Sequence, residues 1–169
     1  MDNLTETKLT SEKIYSGCIL DFYRDTVRLP NGGTAPRELS RHVGAVCIVP
    51  LLDDGRVIVE RQFRYPVNEV ITEIPAGKRN SRDEAPEAAA RRELREETGL
   101  RLTAITHVLP PAACTVGVGD ERTVCVFGTA EGTFRPSRPH GGDRVGVVYA
   151  RAGARPARDG PLRFLGAGL

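Results

Sequence analysis

Between Val43 and Leu52 the chain reads VGAVCIVPLL, an unbroken apolar run rich in β-branched residues. A run of this length bounded by turn residues predicts a well-buried strand. Asp53-Asp54-Gly55 turns the chain into RVIVERQF (56–63), whose start alternates between apolar and polar. EVITEI (69–74) alternates throughout, sending Val70, Thr72 and Ile74 to one side and Glu69, Ile71 and Glu73 to the other. Upstream, two extended runs flank Pro30-Asn31-Gly32-Gly33, a strong turn signal. Pro75-Ala76-Gly77 ends the early β pattern, and a polar loop runs to Ala85. Pro86 then suits a first helical turn, where its missing N–H costs nothing. EAAARRELREET consists of helix formers, and Gly99 supplies the stop. RLTAITHVL and RTVCVFGTA read as further strands joined by a long loop, PPAACTVGVGDE, and RVGVVYA (144–150) as the last. No internal repeat is present. Strands around one helix define an α/β (α+β) class.

At 169 residues the chain has the length of one domain with a real core. A net charge of +2 gives no footprint for nucleic acid or an anionic membrane. No run approaches the roughly 18 apolar residues of a membrane span. The N-terminus, MDNLTETKLTSEK, lacks the apolar core of a signal peptide. Cys18, Cys47, Cys114 and Cys125 form no CxxC pair, so they read as reduced, partly buried thiols of a cytoplasmic protein. Three segments follow: an N-terminal β region (1–42), a central domain (43–150), and a tail (151–169). From residue 132 onward the chain carries seven arginines against two aspartates and no glutamate, with no helical period near its end.

Glu93, Glu96 and Glu97 stand at i, i+3 and i+4, so a helix projects them together. Either surface pairs with Arg91, Arg92 and Arg95 offset their repulsion, at about 0–1 kcal/mol each, or a divalent cation does. Hard cations such as Mg²⁺ take one or two carboxylates plus substrate phosphates.

The surrounding residues resemble the Nudix hydrolase signature. Gly77 and Glu84 precede Arg92-Glu93-Leu94-Arg95-Glu96-Glu97-Thr98-Gly99-Leu100, which matches the second half of that signature completely. Six residues, where the family has five, separate Gly77 from Glu84, which implies a longer loop. The resemblance implies a Nudix fold, with mixed sheets packed around a central metal-binding helix. It implies Mg²⁺, or Mn²⁺ in its place, on Glu93, Glu97, Glu96 and the Ala76 carbonyl. Arg92 would pair with Glu84 or another acid to fix the loop on the helix.

The flanking stretches, over roughly 9–130, resemble the ADP-ribose pyrophosphatases and their nucleoside-diphosphate-sugar relatives. That likeness implies hydrolysis of a diphosphate-linked ribose by a homodimer formed through the N-terminal β region. Alternatives are another nucleotide substrate or a module that binds ADP-ribose without cleaving it. Arg64 would contact phosphate, and Glu73 ribose or the metal. Arg37 and Glu38 would reach substrate across the dimer, and Phe22 or Tyr23 would stack on adenine. His42 and His107 read as packing or surface residues. The family draws a catalytic glutamate from a loop beyond the signature. Asp143 is the only acid there before the last strand, and Glu121 the other candidate for general base or extra metal ligand. The Arg/Gly/Pro-rich tail leads to the expectation that the usual C-terminal helix is missing.

Overall fold

The computed structural model describes residues 3–17, 20–135 and 146–151, the last stretch for its backbone alone. The chain divides into two compact units. Of the described residues, the first holds those up to His42 and Ala113–Arg122, and the second holds Val43–Ala112 and those from Thr123 to Arg151.

In the first unit, β1 (Thr7–Ser16), β2 (Asp21–Arg28) and β3 (Thr34–Arg41) form an antiparallel sheet in sequence order. The β2–β3 hairpin turns where Pro30-Asn31-Gly32-Gly33 is placed, with Gly32 at φ 87°. Only glycine takes that conformation without a steric cost. β1 is exposed along its whole length and carries no alternating pattern that would reveal it as a strand. Inside the sheet Arg41 reaches the buried Asp25 at 3.0 Å and lies over the Tyr23 ring, 4.3 Å from its centre. The segment 113–122 joins this unit through Ser40, whose N–H donates to the Val118 carbonyl and whose carbonyl accepts from Asp120.

The second unit is built on an eight-stranded sheet. Its main path runs β11 (Gly146–Arg151), β5 (Arg56–Arg64), β4 (Ala45–Leu51), β10 (Arg122–Glu131) and β8 (Arg101–Val108). Three short strands flank it: β6 (Glu69–Glu73) on β5, β7 (Ala76–Lys78) on β4, and β9 (Ala112–Ala113) on β10. β4 and β10 pair in parallel, Ala45 with Thr123 through Leu51 with Thr129, while β10 with β8, β11 with β5, β4 with β5 and β7, and β5 with β6 pair antiparallel. The apolar run at 43–52 is therefore an interior strand, with Ala45, Val46 and Ile48 buried.

Helix α1 (Pro86–Thr98) starts at Pro86 and ends at Gly99, whose φ of 75° makes the left-handed cap. Its buried residues are Ala89, Ala90, Glu93, Leu94 and Thr98. The apolar members of that stripe pack with Val46, Ile48, Ile58, Leu102 and Val126 into the core of the unit. Burying this stripe, rather than intrinsic propensity alone, holds a helix of 13 residues in place. Leu94 and Leu102 are fully buried, whereas Glu93 is the acid that the same stripe carries inward. Among the described residues no helix is long and apolar enough to cross a membrane. The tail (151–169), including the expected absence of a helix over 155–169, lies outside the described residues apart from Arg151.

Candidate metal-binding site

The turn after β6 brings the chain back against α1. Ile48 N–H donates to the Pro75 carbonyl at 2.8 Å, and β7 pairs with β4, Cys47 opposite Ala76. This seats Gly77 directly on Glu93: a Cβ at Gly77 would lie 2.0 Å from the Glu93 carboxyl carbon. Any side chain there would have to displace the Glu93 carboxylate from its place. Next along the stripe, Glu97 accepts the Ala76 N–H.

Arg92 ties the polar loop to the helix. Its Nε and NH2 each lie 3.2 Å from one of the two carboxylate oxygens of Glu84. It also donates to Glu93 at 2.7 Å and to the Lys78 carbonyl at 3.1 Å. Hydrogen bonding to Arg92, then to the Asn80 N–H, holds the Glu84 carboxyl below its ordinary value. Arg79 closes the rest of the loop by donating to the carbonyls of Arg82 and Glu84. The additional residue between Gly77 and Glu84 is thus absorbed in a loop that still delivers Glu84 to Arg92.

The three box glutamates do not point together. Glu93 and Glu97 turn inward, while Glu96 has 59% of its side chain exposed and sits 3.3 Å from Arg92. Among the described residues no three His, Cys, Asp or Glu side chains already stand at ligand distance around one point. The strands supply the other acids instead. Glu60 and Glu73 are directly opposite each other on β5 and β6, and both are buried. Of the two faces that the alternation of 69–74 defines, the one carrying Ile71 and Glu73 is inward. Glu60 escaped the sequence reading because the alternation of RVIVERQF was followed only at its start. Its parity with Ile58, two residues earlier, was the available signal.

Arg64 donates from Nε to Glu73 Oε1 at 2.8 Å, with NH2 at 2.6 Å from the same oxygen. Burial pushes the Glu73 and Glu93 carboxyls up, opposed by Arg64 and Arg92 respectively. Glu60 is pushed up to about 7 by burial and by the Glu73 charge, against the pull of Arg64. Glu97 is pushed up to about 9 by burial and then by the charges of Glu60 and Glu93, against the Ala76 N–H. Glu60 Oε1 and Glu97 Oε2 are buried with no hydrogen-bond partner among the described residues. Buried, unpaired carboxylate oxygens cost several kcal/mol unless neutralised. The donor set is all oxygen, so it suits a hard divalent cation rather than a soft one.

Of the remaining residues singled out from the sequence, Phe22, Tyr23, Arg37, Glu38, His42 and Glu121 lie in the first unit, and His107 is exposed on β8. Arg37 pairs with Glu6, and Glu38 with Arg24 at 2.8 Å. Phe22 is exposed, while Tyr23 lies under Arg41. Glu121 is buried, 3.8 Å from His42 Nδ1, and burial raises its carboxyl. Cys47 is buried and Cys125 half-buried, but Cys114 is exposed, against the expectation of burial. Asp143 and Cys18 lie outside the described residues.

A mixed sheet whose one long helix carries inward glutamates against a Pro-Ala-Gly turn is the arrangement of the Nudix fold. The NUDIX domain model matches residues 41–153, and the chain belongs to the Nudix family. It is 43% identical over 108 residues to the ADP-ribose pyrophosphatase of Bacillus subtilis (strain 168), covering 64% of this chain and 58% of that protein. It is 41% identical over 93 residues to the ADP-ribose pyrophosphatase of Mycobacterium tuberculosis (strain ATCC 25618 / H37Rv), covering 55% of this chain and 45% of that one. The chain thus spans about half the length of these two relatives. The ADP-sugar pyrophosphatase of Mus musculus is 32% identical over 157 residues, 83% of this chain and 71% of the mouse protein. A crystal structure of an ADP compounds hydrolase shares the fold at 20% identity, with a TM-score of 0.70 over 85% of this chain and 77% of that one.

Proposed function

We propose that this protein hydrolyses the diphosphate linkage of ADP-ribose, or of a closely related nucleoside diphosphate sugar, to AMP and ribose 5-phosphate. The observation that carries the reading is the carboxylate cluster of α1 and β5, with the unpartnered buried oxygens of Glu97 and Glu60, in a chain similar to two ADP-ribose pyrophosphatases. Glu93, Glu97 and the Ala76 carbonyl would hold Mg²⁺, with Mn²⁺ a substitute and Glu96 turning in as a further ligand. Such a cation neutralises diphosphate oxygens and activates a water. The chain's own side chains do the rest. Arg92 holds the 79–84 loop and the Glu93 carboxylate in one geometry, so the acids are positioned before substrate arrives. Arg64 offers a guanidinium that can grip two phosphate oxygens, and Glu73 orients it. The exposed β1, with Leu9, Ile14 and Tyr15 on its surface, fits a homodimer made through the first unit.

A second reading, a module that binds ADP-ribose without cleaving it, draws support from the lack of any glutamate beyond Glu131. AMP release from ADP-ribose, with and without Mg²⁺, separates the two. Mg²⁺-dependent release lost in Glu97→Gln supports the hydrolase. ADP-ribose binding without release by the folded protein would replace it with the binding module.

A further inference from the structure

The Nudix signature places Glu93, Glu96 and Glu97 on the helix, yet of the three buried side-chain oxygens without a hydrogen-bond partner among the described residues, on Glu60, Glu97 and Glu121, the first belongs to a strand. Glu60 is 3% exposed, and its Oε1 has no hydrogen-bond partner among the described residues. Its direction follows from strand parity. Ile58 and Glu60 lie on the same face of β5, and Ile58 packs in the core with Ala89, Ala90 and Leu94 of α1. The Glu60 side chain therefore continues that face toward the helix, where Glu93 and Glu97 lie one and two turns along. Directly across β6 stands Glu73, but Arg64 already neutralises it. Arg92 does the same for Glu93. Among the described residues, Glu60 and Glu97 are left as the two acids of the cluster without an ion pair of their own. Both carry a buried oxygen with no hydrogen-bond partner among the described residues.

We propose that Glu60 is a carboxylate ligand of the divalent cation, acting from strand β5 opposite Glu97 on the helix. The inference rests on the metal-dependent reading above. It adds a donor from outside the signature and explains why a fully buried strand position holds an acid where Ile, Val or Leu would pack. The competing account is a neutral carboxylic acid sharing a proton with its neighbours, and glutamine imitates that state closely.

The test is Mn²⁺ binding followed by electron paramagnetic resonance of free Mn²⁺, without substrate, in the wild-type protein, Glu60→Gln, Glu60→Asp and Glu97→Gln. Circular dichroism checks that each is folded. If Glu60 is a ligand, Glu60→Gln weakens Mn²⁺ binding tenfold or more, or removes one bound ion. Glu60→Asp, which keeps the charge but withdraws it by one methylene, falls between and keeps the question open to test should the glutamine variant not fold. Wild-type affinity and stoichiometry in Glu60→Gln, with binding lost in Glu97→Gln, would overturn the Glu60 assignment and leave the hydrolase reading standing. No Mn²⁺ binding by the wild-type protein would overturn both.

Discussion

Gly77 is where the signature's first residue acquires a physical meaning. A methyl group there would occupy the position of the Glu93 carboxylate, so Gly77→Ala must displace one or the other. The backbone is anchored by β7–β4 pairing, whereas Glu93 is the far end of a flexible side chain. The glutamate therefore moves. Gly77→Ala should lower Mg²⁺-dependent AMP release by roughly 10²-fold, on the scale of losing a preorganised charge-stabilising group. Its melting temperature should fall only a few degrees, and a loss of fold as large as the loss of turnover would contradict this account. Glu97→Gln should reduce the same release to background while leaving the secondary structure intact by circular dichroism.

At the scale of elements, the helix was legible because its ends carry chemistry: Pro86 opens it and Gly99, at φ 75°, closes it. The inward direction of Glu93 and Glu97 was not. Spacing places Glu93, Glu96 and Glu97 on one side, but the buried stripe runs through Glu93 and Leu94 and leaves Glu96 at its exposed margin beside Arg92. Strand β6 shows the same limit. Alternation defines its two faces, and only packing decides that the face with Glu73 is buried. β1 gave no signal at all, since a strand exposed on both faces needs no alternation. Gly128, in β10, offers a test at this scale. A Cβ there would stand 2.2 Å from the Ala104 carbonyl oxygen of β8, beside a register shift between the two strands. The obstacle is backbone in a paired strand and cannot swing aside. Gly128→Ala should cost about 1–3 kcal/mol of stability, read from chemical denaturation, and unchanged stability would show that β8 and β10 tolerate separation.

For the molecule as a whole, the acid cluster makes stability depend on pH and cation together. The carboxyls of Glu60 and Glu97 are raised in the folded protein, to about 7 and about 9, above the ordinary carboxylate value. The folded state therefore binds more protons than the unfolded state between these limits, and its stability falls as pH rises. With EDTA present, the melting temperature should decline from about pH 5 to pH 9, by an amount reduced in Glu60→Gln. Saturating Mg²⁺ should flatten or reverse the decline, because a bound cation replaces the protons and stabilises only the folded state. A metal-free melting temperature that rises across this window would show that the acids are ionised and matched by other charges.

The parallel pairing of β4 with β10 bears on how the chain comes off the ribosome. The seven paired positions join residues 45–51 to 123–129, so one edge of the most apolar strand stays open until residues 123–129 have been made. Pairings this distant in sequence form slowly, and an apolar edge left waiting is a template for other chains. A nascent or truncated chain ending before Arg122 keeps α1 yet presents that edge of β4 to its neighbours, and it should aggregate.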